Sequence, residues 1–522
     1  MPQETEQLIS ALKNPEIYPH PVTQVELIET HISWVFLTGE FVYKIKKPLN
    51  LGFLDFSSLN KRKHYCNLEL SLNQRLAPAY YLEVISLTGT YSSPVLDGEG
   101  EPVEYAVKMR QFPQHAQLDR VLAENKLSFH HMDLLAHKVS EFHQQIQVAD
   151  EEQPFGDLSH VHSPLLNCFS DILKRLENKS DIKRVHMLRD WSESEFKRLE
   201  NHFLLRKQQG FIRECHGDLH LRNIAIVDEE VIAFDGIEFS EDLRWNDVIS
   251  EIAFLVMDLQ DHEQDALASR FLNQYLEITG DYSGLVVLKY YLLYRAIVRA
   301  MVSSIRLKQE GLSNDEVRIE SNNFNKYLLL AESYTKQTKP KLFMTYGLSG
   351  SGKSTVSQVF MQEYPAIRIR SDVERKRLCG IDVSQRDKKG VQQGIYNTNT
   401  SEKTYLHILQ LAETLLTSGF SVVVDAAFLQ FKQRKLFFNL AHELQLKLVI
   451  LECDIDLEIL KDRLVKRNLE NKDVSDADLE VLDYQIQNIE KLTEAELELV
   501  VEIDVADNQL AIIQVCNNLV ES

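Results

Sequence analysis

Two short segments carry residue types whose spacing suits phosphate chemistry. In GLSGSGKST (347–355), Gly347, Gly352, Lys353 and Ser354 stand at the places of a G-x-x-x-x-G-K-[ST] loop. Such a loop turns the backbone N–H groups of Gly347, Ser349, Gly350, Ser351, Gly352 and Thr355 toward phosphate oxygens. Lys353 is long enough to reach terminal phosphates, and the Ser354 hydroxyl is a hard oxygen donor suited to Mg2+. In HGDLHLRN (216–223), Asp218 and Asn223 are five apart, and Asp235 follows twelve residues later in apolar VIAFDG (231–236). That set offers one carboxylate to take a hydroxyl proton, with an amide and a second carboxylate to hold metal against phosphates.

Further charged residues stand near the first loop. Asp372 and Arg375 lie in IRSDVERKRL (369–378), just past a strand. A carboxylate at the end of a parallel strand faces the ligand crevice, where it can take an acceptor's proton; a helix N-cap is the competing role. Asp425 closes the apolar SVVVD (421–425), where it can hold Mg2+ or cap the next segment. Arg463 and Arg467 are four apart in LEILKDRLVKRN (457–468), on one helical face that is either a phosphate-neutralising lid or simply solvated. Arg434 has the same two readings.

The elements that must position these groups differ along the chain. Past a polar, proline-bearing stretch at 335–340, the apolar runs 341–346, 366–370, 421–425, 447–453 and 499–504 alternate with helical patterns such as 402–419, which ends at Gly419. That order predicts an α/β domain with a parallel sheet over 341–522. Residues 1–335 open with short strands at 33–46, turning at Thr38-Gly39-Glu40, and become mostly helical: an α+β pattern. Residues 285–302 are apolar but broken by Lys289, Arg295 and Arg299, so a buried helix is expected there rather than a membrane span.

The 522 residues carry a net charge of −21, which argues against a protein that coats nucleic acid or anionic membrane. The P-loop half holds −7 of this and the remainder −14, yet residues 368–389 are locally +4. Six scattered cysteines form neither a disulfide framework nor a zinc signature, and His130-His131, His160 and His162 have no ligand partners at metal spacing. The N-terminus has no signal-peptide pattern, so a cytoplasmic setting is expected.

The loop 347–355, Asp372, VVVDAAF (422–428) and the arginine-bearing helix resemble the zeta-toxin and polynucleotide-kinase branch of AAA-type P-loop kinases. HGDLHLRN with Asp235 resembles aminoglycoside phosphotransferases, whose fold is protein-kinase-like. That resemblance implies a strand lysine, Lys44 in VYKIKKP (42–48), paired with Glu69 on a helix, and makes Asp247 a later structural residue. Strand alternation puts Lys44 and Lys46 on one face, so spacing does not separate them. The chain departs from the family in having Arg222 before Asn223 and no glycine-rich loop before Lys44, which leaves phosphate contacts to backbone near Thr30–Ser33.

The whole chain is thus similar to a bacterial fusion of the two kinase types. The resemblance implies an ATP- and Mg2+-dependent phosphotransferase with two nucleotide sites. Asp218 and Asp372 would be bases, and Asn223, Asp235, Ser354 and Asp425 metal ligands. Lys44, Glu69 and the P-loop would hold nucleotide, with Arg375, Arg463 and Arg467 neutralising phosphate. Three functions compete: transfer to a hydroxyl of a small metabolite or sugar nucleotide, transfer to a nucleic-acid 5′ end, and a nucleotide-regulated switch with a pseudokinase domain. No membrane partner is expected, and the oligomeric state is not legible in the sequence.

Overall fold

The computed structural model describes residues 3–52, 54–309, 311–383, 397–470 and 479–504. It divides into two compact units. One comprises Met1–Val185, Glu193–Asp258 and Tyr294–Ser313; the other comprises His186–Ser192, Leu259–Leu293 and Asn314–Ser522. The sequence division at 335–340 separates the strands of the two units. It does not separate the units, because residues 259–293 and 314–334 belong to the second unit.

In the first unit, β1 (Glu26–Glu29), β2 (Ser33–Leu37), β3 (Phe41–Lys46), β4 (Tyr81–Thr90), β5 (Ser93–Leu96) and β6 (Glu104–Arg110) form an antiparallel sheet in the order β1-β2-β3-β6-β4-β5. Tyr43 and Ile45 of β3 enter a core with Trp34, Phe36, Ile85 and Leu87. Period-2 alternation sends Lys44 and Lys46 to the opposite face, where both are buried. The helix Leu59–Asn73 carries Glu69 and begins at Ser58, whose hydroxyl accepts the Lys61 N–H at 3.3 Å. Farther along, β7 (Ile212–Glu214) pairs with β10 (Trp245–Asp247), while β8 (Ile224–Val227) and β9 (Glu230–Ala233) make a hairpin.

The second unit has a fully parallel five-stranded sheet: β11 (Lys341–Tyr346), β12 (Ala366–Arg370), β13 (Ser421–Asp425), β14 (Lys447–Asp454) and β15 (Val500–Asp504), in the order β12-β13-β11-β14-β15. Continuous apolar runs suit strands covered on both faces, and Leu342, Phe343, Met344 and Val422–Val424 are fully buried. The first strand lies in the middle, so the order reverses at the carboxyl end of β11, the place where open α/β sheets bind ligands.

One helix of this unit, Asp265–Thr279, comes from well before the sheet in sequence. Its Asn273 side chain accepts the Arg368 N–H at 2.7 Å and donates to the Ala366 carbonyl at 3.1 Å. It thereby pairs the open edge of β12 as a neighbouring strand would. Ser269 adds a 2.6 Å bond to the Met361 carbonyl. The helix stops at Gly280, whose φ of 74° is the left-handed C-cap conformation.

Candidate active sites

The P-loop turns out of β11 into the helix Lys353–Glu363. Gly347, Gly350 and Gly352 all have positive φ. A Cβ at Gly347 would lie 2.6 Å from the Cys453 carbonyl oxygen, so only glycine fits this close approach. The Ser349 N–H donates to Gln485 Oε1 at 2.8 Å, and Lys353 Nζ to the Leu348 carbonyl at 2.7 Å.

A cavity of about 730 Å³ opens over this loop. Ser349, Gly350, Gly352, Lys353, Ser354 and Thr355 line it, together with Asp372, Arg375, Asp425 and Arg463. Four separate sequence segments, each assigned chemistry by its residue types, therefore face one space. Ser351 is instead buried within the loop, with Oγ 2.8 Å from the Cβ position of Gly347. The side chain of Arg467 lies outside the described residues.

Local geometry bears on the alternatives that spacing left open. The helix Ser371–Leu378 is capped at Arg370 without a side-chain bond, so Asp372 lies inside the first turn and is not its N-cap. Arg375 Nη1 donates to Ser401 Oγ at 3.0 Å, and its Nε lies 4.0 Å from Asp372. Asp425 is 5% exposed and accepts the Ser357 hydroxyl at 3.1 Å. Arg434 is removed from the phosphate role: it is fully buried and bound to Glu496 at 2.7 Å and to three backbone carbonyls. Among the described residues of the +4 stretch, three of the basic side chains are withdrawn from the surface. Arg368, Arg375 and Lys376 are buried, and residues 384–389 lie outside the described residues.

The first unit assembles its own charged cluster. Lys44 Nζ lies 2.7 Å from Glu69 and also pairs with Asp235; Lys46 Nζ lies 2.6 Å from the other Glu69 oxygen and pairs with Glu238. Lys44 is therefore the lysine that meets Asp235, a distinction that strand spacing did not make. Burial opposes the Glu69 charge, but Lys44 and Lys46 outweigh it and hold its pKa at about 2. Burial also opposes charge on Lys44, and Asp235 and Glu69 reverse this and raise its pKa. Glu238, buried beside Glu69, is pushed upward despite Lys46.

Asp218 and Asn223 meet directly, with Asn223 Nδ2 donating to Asp218 Oδ2 at 2.9 Å. Burial disfavours the Asp218 charge, but His220, His216 and Arg299 hold its carboxyl well below the ordinary range. Beneath the loop, Glu251 accepts the N–H groups of His216 at 2.7 Å and Gly217 at 3.0 Å, and Asp258 accepts that of Leu221 at 3.0 Å. Asp247 forms a buried two-point pair with Arg206 at 2.6 and 2.8 Å and accepts the Ile249 N–H. Asp235 has φ of 64°, a strained conformation for a non-glycine residue, and its N–H donates to the Tyr81 hydroxyl at 3.1 Å.

The turn joining β1 and β2 is closed on itself. Thr30 Oγ1 accepts the Ser33 N–H at 2.9 Å and the Ile32 N–H at 3.4 Å, while the Thr30 N–H goes to the Ser33 carbonyl at 2.9 Å. Gly39, in the next turn, donates to Gln111. Where a phosphate cradle was expected, Thr30–Ser33 forms a tight turn that engages the Thr30, Ile32 and Ser33 amides.

Sequence reasoning missed Gln485, Glu238, Glu251 and Glu277. Each is an isolated polar residue in a helix or loop whose partner is far along the chain, and no local motif marks it. Their one shared signal is a polar side chain that packing leaves buried or half-buried.

The described residues thus hold two units, an α+β unit whose charged cluster joins Lys44, Glu69 and Asp235 and an α/β unit whose P-loop leaves the first strand of a parallel sheet. Residues 342–492 match the AAA domain family. Uncharacterized proteins of Mycobacterium bovis and Mycobacterium tuberculosis are 28% identical over 87% of this chain and 89% of their own. Among solved structures, an amicoumacin kinase in complex with AMP-PNP, Ca2+ and Ami aligns with 63% of this chain and 93% of its own, at 13% identity and a TM-score of 0.38. A Mycobacterium tuberculosis APS kinase in complex with AMPPNP and APS aligns with 35% of this chain and 99% of its own, at 17% identity and a TM-score of 0.27. Among the described residues, no helix is long and apolar enough to cross a membrane.

Proposed function

We propose that the chain is an ATP- and Mg2+-dependent phosphotransferase, with its P-loop unit transferring phosphate to a hydroxyl of a small molecule. The observation that carries this reading is the single cavity lined by the P-loop, Asp372, Arg375, Asp425 and Arg463. Ser354 and Asp425 are hard oxygen donors facing that cavity, which suits Mg2+. When bound, the metal would supply charge neutralisation to the phosphates. Backbone amides of the P-loop and Lys353 would hold the phosphate chain. Asp372 would take the acceptor hydroxyl's proton as its oxygen attacks the γ-phosphorus. The bond from that phosphorus to the bridging oxygen breaks, and ADP leaves with that electron pair. Arg375 and Arg463 would stabilise charge on the phosphoryl oxygens. Catalysis would come mainly from positioning and charge placement.

In the first unit, Asp218 would be the base, Asn223 and Asp235 the metal ligands, and Lys44 with Glu69 the phosphate clamp. The closed Thr30–Ser33 turn favours a second reading of this unit, as a nucleotide-responsive pseudokinase. The burial of Arg368, Arg375 and Lys376 weighs against a nucleic-acid end as acceptor.

The test is transfer of labelled phosphate from ATP to metabolite pools, with Lys353→Ala and Asp218→Ala compared. Loss only in Lys353→Ala assigns the chemistry to the P-loop unit. Loss only in Asp218→Ala assigns it to the first unit. Absence of transfer by the unaltered chain to every pool, with ATP still bound, overturns the phosphotransferase reading.

A further inference from the structure

The helix Asp265–Thr279 does more than pair an edge strand. Near its end, Glu277 receives Arg368 at 2.8 Å on one carboxylate oxygen and Arg370 at 2.7 Å on the other. Arg377 donates to the Glu277 backbone carbonyl. Tyr282, just beyond the helix, donates to the Arg368 carbonyl at 3.4 Å. Both ends of the Glu277–Arg370 pair are nearly buried, with side chains 10% and 13% exposed.

Arg370 lines the P-loop cavity and closes β12, directly opposite Asp425 in the β12–β13 register. Its Nε lies 3.6 Å from Asp425 Oδ2, while its Nη1 is committed to Glu277. One guanidinium therefore stands between two carboxylates and is bonded to the one outside the cavity.

We propose that Glu277 is a positioning residue of the P-loop site: it draws Arg370 toward itself and so leaves the Asp425 carboxylate available to a divalent cation. This rests on the reading of Asp425 as a metal ligand in a phosphotransferase. An arginine fork binds a carboxylate with fixed geometry and a permanent charge. Released from Glu277, Arg370 has Asp425 as the carboxylate already within reach, and ion and guanidinium then compete for the same oxygens. The state of Glu277 agrees with this role. Burial opposes its charge, but Arg368 and Arg370 outweigh burial and lower its pKa.

The experiment is a Mg2+ titration of fluorescent ATP-analogue binding to the full chain. The signal remaining in Lys353→Ala is subtracted, so that only the P-loop site is read. For Glu277→Gln, the Mg2+ concentration at half-saturation should rise about tenfold, the scale of one hydrogen bond to a charged group. In Glu277→Gln/Arg370→Gln that rise should vanish, because the competitor is gone. A helix that merely supported the fold would not be rescued by removing Arg370. An unchanged midpoint in Glu277→Gln, or a rise that persists in the double variant, overturns the proposal. Where Glu277→Gln does not fold, Glu277→Asp is titrated instead: a rise of about threefold supports the proposal and no rise overturns it. If the unaltered chain shows no Mg2+-dependent signal at the P-loop site, the phosphotransferase reading itself fails and takes this inference with it.

Discussion

Lys44 and Lys46 divide the carboxylates of the first unit between them, sharing Glu69 and parting to Asp235 and Glu238. Glu69 has a folded pKa of about 2, below its ordinary value, so its ionisation favours the fold above the unfolded pKa of about 4.5. That contribution is lost as pH falls through the window from about 4.5 to about 2. Urea midpoints measured across that window should fall with acidification in the unaltered chain and fall less steeply in Glu69→Gln. At the P-loop site, Asp372→Asn should lower kcat by roughly 10²–10⁴-fold, the usual share of a general base, while ATP-analogue binding persists. A variant that kept its full kcat would remove Asp372 from the base role. Both loop motifs were legible because their residues are close in sequence and their chemistry is local. Glu238 was not legible: its partner Lys46 is 192 residues away, and no spacing rule joins them.

At the scale of elements, the loop His216–Asn223 is held from below by the helix Val248–Asp261, through Glu251 and Asp258, while Asp247 just before that helix is held by Arg206. Breaking a buried pair on one side leaves an uncompensated charge, so Asp247→Ala should cost about 3–5 kcal/mol in urea unfolding of the full chain. A loss under 1 kcal/mol would mean that the Arg206 guanidinium finds another partner. The five parallel strands were legible because both of their faces are covered and they read as apolar runs. Strands β4 and β6 were not read. Polar residues such as Glu83 and Lys108, which pair across them at 2.8 Å, interrupt their apolar pattern. The helix Asp265–Thr279 falls in the mostly helical part expected of residues 1–335, but its docking was not legible. Docking depends on Asn273 and Glu277 meeting a strand that composition gives no reason to place beside them.

At the scale of the whole molecule, the sequence boundary at 335–340 and the compact units call for different fragments. A fragment of 341–522 would lack the side chains that pair the β12 edge and hold Arg368 and Arg370. One beginning at residue 259 would keep them. The shorter fragment should therefore show the lower melting temperature and the weaker ATP-analogue binding, and equal behaviour would mean that the helix is dispensable. The net charge of −21 describes the surface in bulk, whereas the P-loop cavity gathers Lys353, Arg370, Arg375 and Arg463.

The bond from Arg370 to Glu277 spans 93 residues of chain. During synthesis the helix Asp265–Thr279 is thus complete long before the strand it edges exists. At about 5–20 residues per second, Glu277 waits on the order of 5–20 s for Arg370 to be made. Throughout that interval a carboxylate destined for burial is hydrated, and the helix face that will receive β12 is bare. The P-loop sheet is therefore closed late, by a partner already present on the nascent chain, and slowed or paused translation between residues 280 and 366 would lengthen the time in which that face can meet something else.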